Sequence, residues 1–105
     1  MIHMLLDLAI KEVECPEPVE WQFYVYLLLC NNKSLYCGST TNLKRRLQEH
    51  TSGEGALWTK LHKPIKLVYY ENHDTLINVR LRETQIKGWT VIKKLNLIRG
   101  VWTKQ

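Results

Sequence analysis

Five side chains in this sequence could do chemistry together: Tyr26, Tyr36, Arg46, His50 and Glu83. Phenols and imidazoles transfer protons, a guanidinium suits anions, and a carboxylate moves protons or holds a hard cation. Tyr26 and Tyr36 stand ten residues apart across "NNKS", where asparagine tolerates left-handed backbone and bonds its own main chain. Whether they cooperate depends on register, because side chains alternate between the faces of a strand. A three-residue loop at 31–33 pairs Cys30 with Ser34, Leu28 with Tyr36 and Tyr26 with Gly38. Both phenols then lie diagonally on one face. A two-residue loop puts them on opposite faces, and the residues alone leave that choice open. Arg46 and His50 are four apart in the following helical pattern and share a face. Gly38, having no side chain, permits close approach of a backbone or ligand. Glu83 is the only acidic residue after Asp74, in a strongly basic segment.

These groups need elements to hold them. "QFYVYLLLC" (22–30) is nearly continuously apolar, as a strand buried on both faces is, and "LYCGS" returns as its partner. "TTNL" offers an N-cap to a helix over 42–50, where Leu43 and Leu47 face inward. "TSGEGALWTKLHKP" reads as a glycine-punctuated loop, and "IKLVYYE" (65–71) as a third strand. Asp74 is the expected N-cap of a helix carrying Leu76, Val79, Arg80, Glu83 and Lys87. Gly88 breaks that helix, and "TVIKKLNLI" forms another that stops at Gly100. Residues 2–13 could form a short amphipathic helix, and Pro16 and Pro18 mark a linker after it. The expected fold class is α/β (α+β): a three-stranded antiparallel sheet flanked by helices. Residues 1–20 form an N-terminal extension or linker and 21–105 a single domain.

Composition narrows the classes. With 105 residues, 45% of them hydrophobic and 24% charged, the chain can close one modest core and is not disordered wholesale. No apolar run reaches the roughly 18 residues of a membrane span, and the N-terminus makes a poor signal peptide. Cys15, Cys30 and Cys37 are odd in number and lack metal-ligand spacing, which favours free thiols in a reducing cytoplasm. Residues 1–20 set one lysine against five carboxylates, a net charge of −4, so the remaining 85 residues carry +9. A body that basic attracts polyanions, since each cation placed on a phosphate releases a condensed counterion.

Taken together, the blocks resemble the GIY-YIG nuclease superfamily, in particular its small stand-alone members. "YVY" (24–26) stands where the family has GIY and "YCG" (36–38) where it has YIG. "TTNLKRRLQEH", "GEGALWT", "KPIKLVYYE" and "RETQIKGW" look like its later blocks, in order, and the resemblance covers about residues 22–100. It implies a metal-dependent endonuclease-like phosphodiesterase, an activity of the kind DNA repair uses. In that reading Glu83 holds one divalent ion, Mg²⁺ or alternatively Mn²⁺, and Tyr26 or Tyr36 deprotonates the attacking water. Arg46 neutralises phosphoryl charge and lowers a phenol's pKa together with the metal, and His50 relays a proton or touches phosphate. Gly38, Ser39 and Asn96 support the site. Ser39 takes a position where some relatives carry lysine, and Asn96 is the nearest match to a supporting asparagine.

The implied partner is nucleic acid, DNA ahead of RNA. Lys44, Arg45, Lys60, His62 and Lys63 are the expected contacts, with Trp58 interleaved among the last three as a stacking aromatic. Two other functions fit the same residues. One is a non-catalytic nucleic-acid-binding module on this fold. The other is a protein-interaction module whose acidic residues 1–20 mediate assembly or shield the basic cleft.

Overall fold

A computed structural model describes residues 10–54 and 57–100, apart from the side chain of Trp58. The apolar run becomes β1 (Phe23–Cys30), the middle strand of the sheet. β2 (Leu35–Thr40) and β3 (Pro64–His73) pair antiparallel with it in the order β2-β1-β3. The helices among the described residues are α1 (Leu43–Ser52), α2 (Leu57–Leu61), α3 (Leu76–Lys87) and α4 (Val91–Arg99). The expected three-stranded sheet flanked by helices is therefore present.

Alternation along β1 builds two cores. Val25, Leu27 and Leu29 join Val79 and Ile86 of α3 and Leu95 of α4 on one face. Tyr24, Tyr26 and Leu28 join Leu43 and Leu47 of α1 on the other. A strand covered on both sides has no room for polar alternation, which explains its composition.

The hairpin takes the three-residue loop. Cys30 N–H donates to Ser34 O at 2.9 Å, Tyr26 lies opposite Gly38, and Leu28 lies opposite Tyr36. Asn32 Oδ1 accepts from Ser34 N at 3.2 Å and from Ser34 Oγ at 2.6 Å, as turn asparagines do. The left-handed residue is Lys33, at φ 69°, and not an asparagine. In a three-residue hairpin the left-handed position follows a type I turn, and here it falls on the third residue whatever its type.

Capping sets the helix limits. Asn42 caps α1 by accepting from Arg45 N at 3.0 Å, and the helix runs two residues past 50 to left-handed Gly53 at φ 87°. Thr90 caps α4, which stops at left-handed Gly100 as expected. For α3 the cap is Thr75, whose side chain accepts from Asn78 N at 3.1 Å, so Asp74 lies one residue too early. Both types can cap, and the choice rests on which one has extended backbone beside the first helical turn. The loop after α1 also contains α2, a one-turn element that shows no apolar periodicity in the sequence.

Of the helix expected over 2–13, residues 2–9 lie outside the described residues and 10–13 are not helical. Those four run against β3: Ile10 is buried in the first core, Val13 N–H donates to Leu67 O at 2.9 Å, and Lys66 Nζ donates to Ile10 O at 2.5 Å. No helix among the described residues is long and apolar enough to cross a membrane.

The capping geometry gives a direct test. Thr75→Ala is expected to cost about 1 kcal/mol in urea denaturation, while Asp74→Ala stays within about 0.5 kcal/mol. The reverse order would return the cap to Asp74.

Candidate active site

On the α1 face of the sheet, three rings form a triangle. The centroids of Tyr26 and Tyr36 are 6.3 Å apart, with His50 5.8 Å from the first and 5.4 Å from the second. The register places both phenols here, and the helical four-residue spacing stacks Arg46 above His50. Tyr26 is fully buried, and its hydroxyl lies 2.7 Å from His50 Nε2. The other ring nitrogen, Nδ1, lies 2.7 Å from Thr59 Oγ1. A methyl group at Gly38 would meet Tyr26 Oη at 2.5 Å and Cζ at 2.7 Å. What comes close to this glycine is therefore the Tyr26 phenol of its own chain.

Burial governs the protonation states. It pushes the Tyr26 hydroxyl well above the usual phenol range, helped by Tyr36 and opposed by Arg46. Tyr36 is also raised by burial, although Lys87 and Arg46 pull the other way. The expected lowering by Arg46 is thus outweighed, and both residues are neutral phenols. Burial and then Arg46 lower His50 to about 4, so its imidazole is neutral near pH 7. Arg46 Nη1 donates to Glu49 Oε1 at 2.9 Å, one turn along α1.

The carboxylate arrives from the other face. α3 packs against Val25 and Leu27, and Glu83 Oε1 accepts from Ser39 Oγ at 2.5 Å. Its Oε2 pairs with Lys87 Nζ at 2.8 Å. Because Ser39 and Gly38 are neighbours on β2, their side-chain positions point to opposite faces. The phenols and the carboxylate therefore meet around the edge strand, where Glu83 and Lys87 both act electrostatically on Tyr36. Burial alone would raise Glu83, but hydrogen bonds from Lys87 and Ser39 outweigh it and hold the carboxyl below its usual range.

A second network turns α3 so that Glu83 points this way. Glu71 of β3 accepts from Arg82 Nε at 2.7 Å and also bonds the Tyr69 hydroxyl and His73 Nε2. The Arg82 guanidinium lies 5.3 Å from the centre of the Trp89 ring. Burial would raise Glu71, yet these bonds lower it. Adjacent helical residues are about 100° apart, so anchoring Arg82 to β3 directs Glu83 to β2. The motif "RET" carried this signal, with its arginine read as part of a pattern and not as a strut.

Among the other expected residues, Lys44, Arg45, Lys60 and Lys63 are exposed, His62 is half-buried, and the side chain of Trp58 lies outside the described residues. Asn96 sits on α4, and no hydrogen bond joins it to Glu83 among the described residues; its carbonyl accepts the capping N–H of Gly100. Cys37 is buried in the first core, its thiol pushed up to about 12 by burial, which fits a small packing residue. The residue that sequence reasoning missed is Thr59, a buried threonine in what read as a loop.

The profile of the GIY-YIG catalytic domain matches residues 22–96, which include every one of the five central side chains. The chain belongs to the GIY-YIG catalytic-domain family. It is 51% identical over 77 residues to a UPF0213 protein of Syntrophus aciditrophicus, covering 72% of this chain and 88% of that one. The solution structure of a UPF0213 protein from Bacillus halodurans is similar over 74% of this chain and 83% of its own, at 33% identity and a TM-score of 0.50. A second solution structure, of a protein from E. faecalis, covers 89% of this chain and 97% of its own at 30% identity and a TM-score of 0.55. Membership of this family supports a nuclease-like role with nucleic acid as substrate class.

Two predictions follow from this GIY-YIG site. His50 has a folded pKa of about 4 against 6.5 in an unfolded chain, so the unfolded state takes up its proton first as pH falls. Stability is therefore expected to decline between about pH 6.5 and pH 4, by an amount on the order of 3 kcal/mol from this residue. Histidine NMR should show the His50 ring still neutral at pH 5.5; a midpoint near 6.5 would contradict it. Gly38→Ala should overpack the Tyr26 phenol and cost about 1–3 kcal/mol by urea denaturation.

Proposed function

We propose that this chain is a divalent-metal-dependent, endonuclease-like phosphodiesterase, with residues 21–105 as its nuclease domain. DNA is the first substrate to test, and a reducing cytoplasm suits its three free thiols. The observation that carries the reading is the pair Tyr26–His50: a phenol backed by a neutral imidazole, beside Arg46 and Tyr36, with Glu83 at the same strand edge.

The residues present fit a magnesium ion. Among the described residues no group of three His, Cys, Asp or Glu forms a cage. Magnesium needs few carboxylates, because it keeps several waters of its own. Glu83 supplies one, with one oxygen steadied by Ser39 and the other held by Lys87, whose side chain is 52% exposed and free to swing aside. When bound, the ion polarises the scissile phosphate and stabilises the leaving oxygen.

The rest is done by the chain itself. Tyr26 takes a proton from the attacking water while its own hydroxyl proton passes to His50 Nε2. Because Tyr26 is fully covered, a neighbour must give way before water reaches it. Arg46, tethered to Glu49 and adjoining the phenol, turns to the phosphoryl oxygens and uncovers Tyr26 as it does so. Tyr36, half-buried and with no hydrogen bond to its hydroxyl among the described residues, orients water or phosphate. His50 is buried with both nitrogens engaged, which supports a relay and leaves it poorly placed to touch phosphate. Lys44, Arg45, Lys60, His62 and Lys63 contact the backbone of the nucleic acid, which gives affinity without base reading.

The test is cleavage of single-stranded, duplex and branched DNA and of RNA with Mg²⁺ or Mn²⁺. Glu83→Ala is expected to reduce cleavage by about 10²-fold or more, the scale of losing one transition-state stabiliser. Binding should be retained or tightened, since a negative charge is removed, and it should weaken steeply with salt. Salt-sensitive binding with no cleavage of any substrate would replace this reading with the binding module.

A further inference from the structure

His50 stands between two hydroxyls, and the second has a task that the relay requires. Its ring is 2% exposed, with Tyr26 Oη and Thr59 Oγ1 each 2.7 Å from a ring nitrogen. A neutral imidazole carries one N–H and one lone pair, so one hydroxyl must donate to the ring and the other must accept from it. If Nε2 carried the proton, it would donate to Tyr26 Oη, and the ring could accept nothing from the phenol. Only the Nδ1–H tautomer leaves Nε2 able to receive the proton of Tyr26. A phenol is a far stronger acid than an aliphatic alcohol, and of the two hydroxyls it is the better donor to the lone pair. Both ring nitrogens are thus bonded to hydroxyls, and neither is bonded to a carboxylate. Arg46 and Glu49 of α1 are the charged groups acting on the ring, and neither hydrogen-bonds it.

We propose that Thr59 is the positioning residue of this site: its Oγ1 accepts His50 Nδ1–H, fixing the tautomer whose Nε2 takes the Tyr26 proton. The proposal rests on the relay reading above for its catalytic consequence, though not for the tautomer itself. Thr59 is 2% exposed on α2, so the short helix between α1 and β3 holds the hydroxyl in place away from water. The proton account closes. Water gives one proton to Tyr26 Oη, the hydroxyl proton of Tyr26 moves to Nε2, and the imidazolium keeps Nδ1–H on Thr59. One lone pair of Oγ1 suffices for this, which leaves the threonine O–H available to another partner. Because an alcohol in place of a carboxylate adds no charge beside the ring, His50 stays neutral until substrate arrives.

The experiment uses the full chain labelled with ¹⁵N-histidine. In the unmodified protein, His50 is expected to show a protonated Nδ1 and an unprotonated Nε2 near pH 7. A protonated Nε2 would overturn the proposal with no variant needed. Thr59→Val should release the tautomer, giving a mixture or a switch to Nε2–H, and slow cleavage about 10- to 100-fold, as loss of an orienting partner does. Thr59→Ser should keep the tautomer and most of the rate, while an unchanged tautomer in Thr59→Val would count against the proposal. If the unmodified protein cleaves nothing, the nuclease reading fails, and the NMR result still decides what Thr59 does to His50.

Discussion

A phenol hydroxyl cut off from water has to find its hydrogen bond inside the protein, or the fold bears a penalty of about 1–3 kcal/mol. Tyr26 meets that condition on His50, and much else is arranged around it. Gly38 lacks a side chain because the phenol occupies the space above its backbone. α1, capped by Asn42, starts in the phase that aims position 50 at the sheet. The short helix α2 is placed so that Thr59 closes the far end of the ring. No buried side-chain polar atom in the described residues is left without a partner, so the chain of contacts is complete.

Much of this was legible in the sequence, for reasons that can be named. The apolar density of β1, the glycine stops and the four-residue step from Arg46 to His50 are local patterns, and local patterns survive folding. The shared face of Tyr26 and Tyr36 was conditional on one loop residue, and the three-residue loop decided it. Less legible were features set by competition between neighbours. Asp74 and Thr75 can both cap, and Lys33 took the left-handed position that an asparagine suits better by type. Thr59 ends the block "GEGALWT", but nothing local marks it out, because its importance comes from a partner nine positions away. The sign of the tyrosine shifts was also hidden, because burial cannot be counted from spacing.

The two sheet faces divide the work between electrostatic regimes. The α1 face holds buried neutral groups, Tyr26 and His50, that differ in where a proton sits, with the Arg46–Glu49 pair beside them. The α3 face carries paired charges, Glu83 with Lys87 and Glu71 with Arg82, that cancel locally. Edge strand β2 is thin enough for the two to act on the same atoms while remaining separately packed. That separation lets a carboxylate of lowered pKa and phenols of raised pKa coexist within one small domain.

The sheet also treats its two outer strands differently. Along β3 the chain lays its own residues 10–13, with Val13 bonded to Leu67. β2, six residues long, bears Tyr36, Gly38 and Ser39, and a side chain of α4 meets its backbone, Lys94 Nζ donating to Leu35 O at 3.3 Å. Open strands recruit other strands, and shortness is one of the ways proteins limit that. Among the described residues, β3 is thus joined by a backbone hydrogen bond from the chain's own residues 10–13, while β2 is met by a lysine side chain. For anyone fusing a partner or tag to this protein, the two ends of the sheet are not equivalent: a fusion that pulls residues 10–13 away would free Leu67 O on the longer edge strand and favour strand addition there.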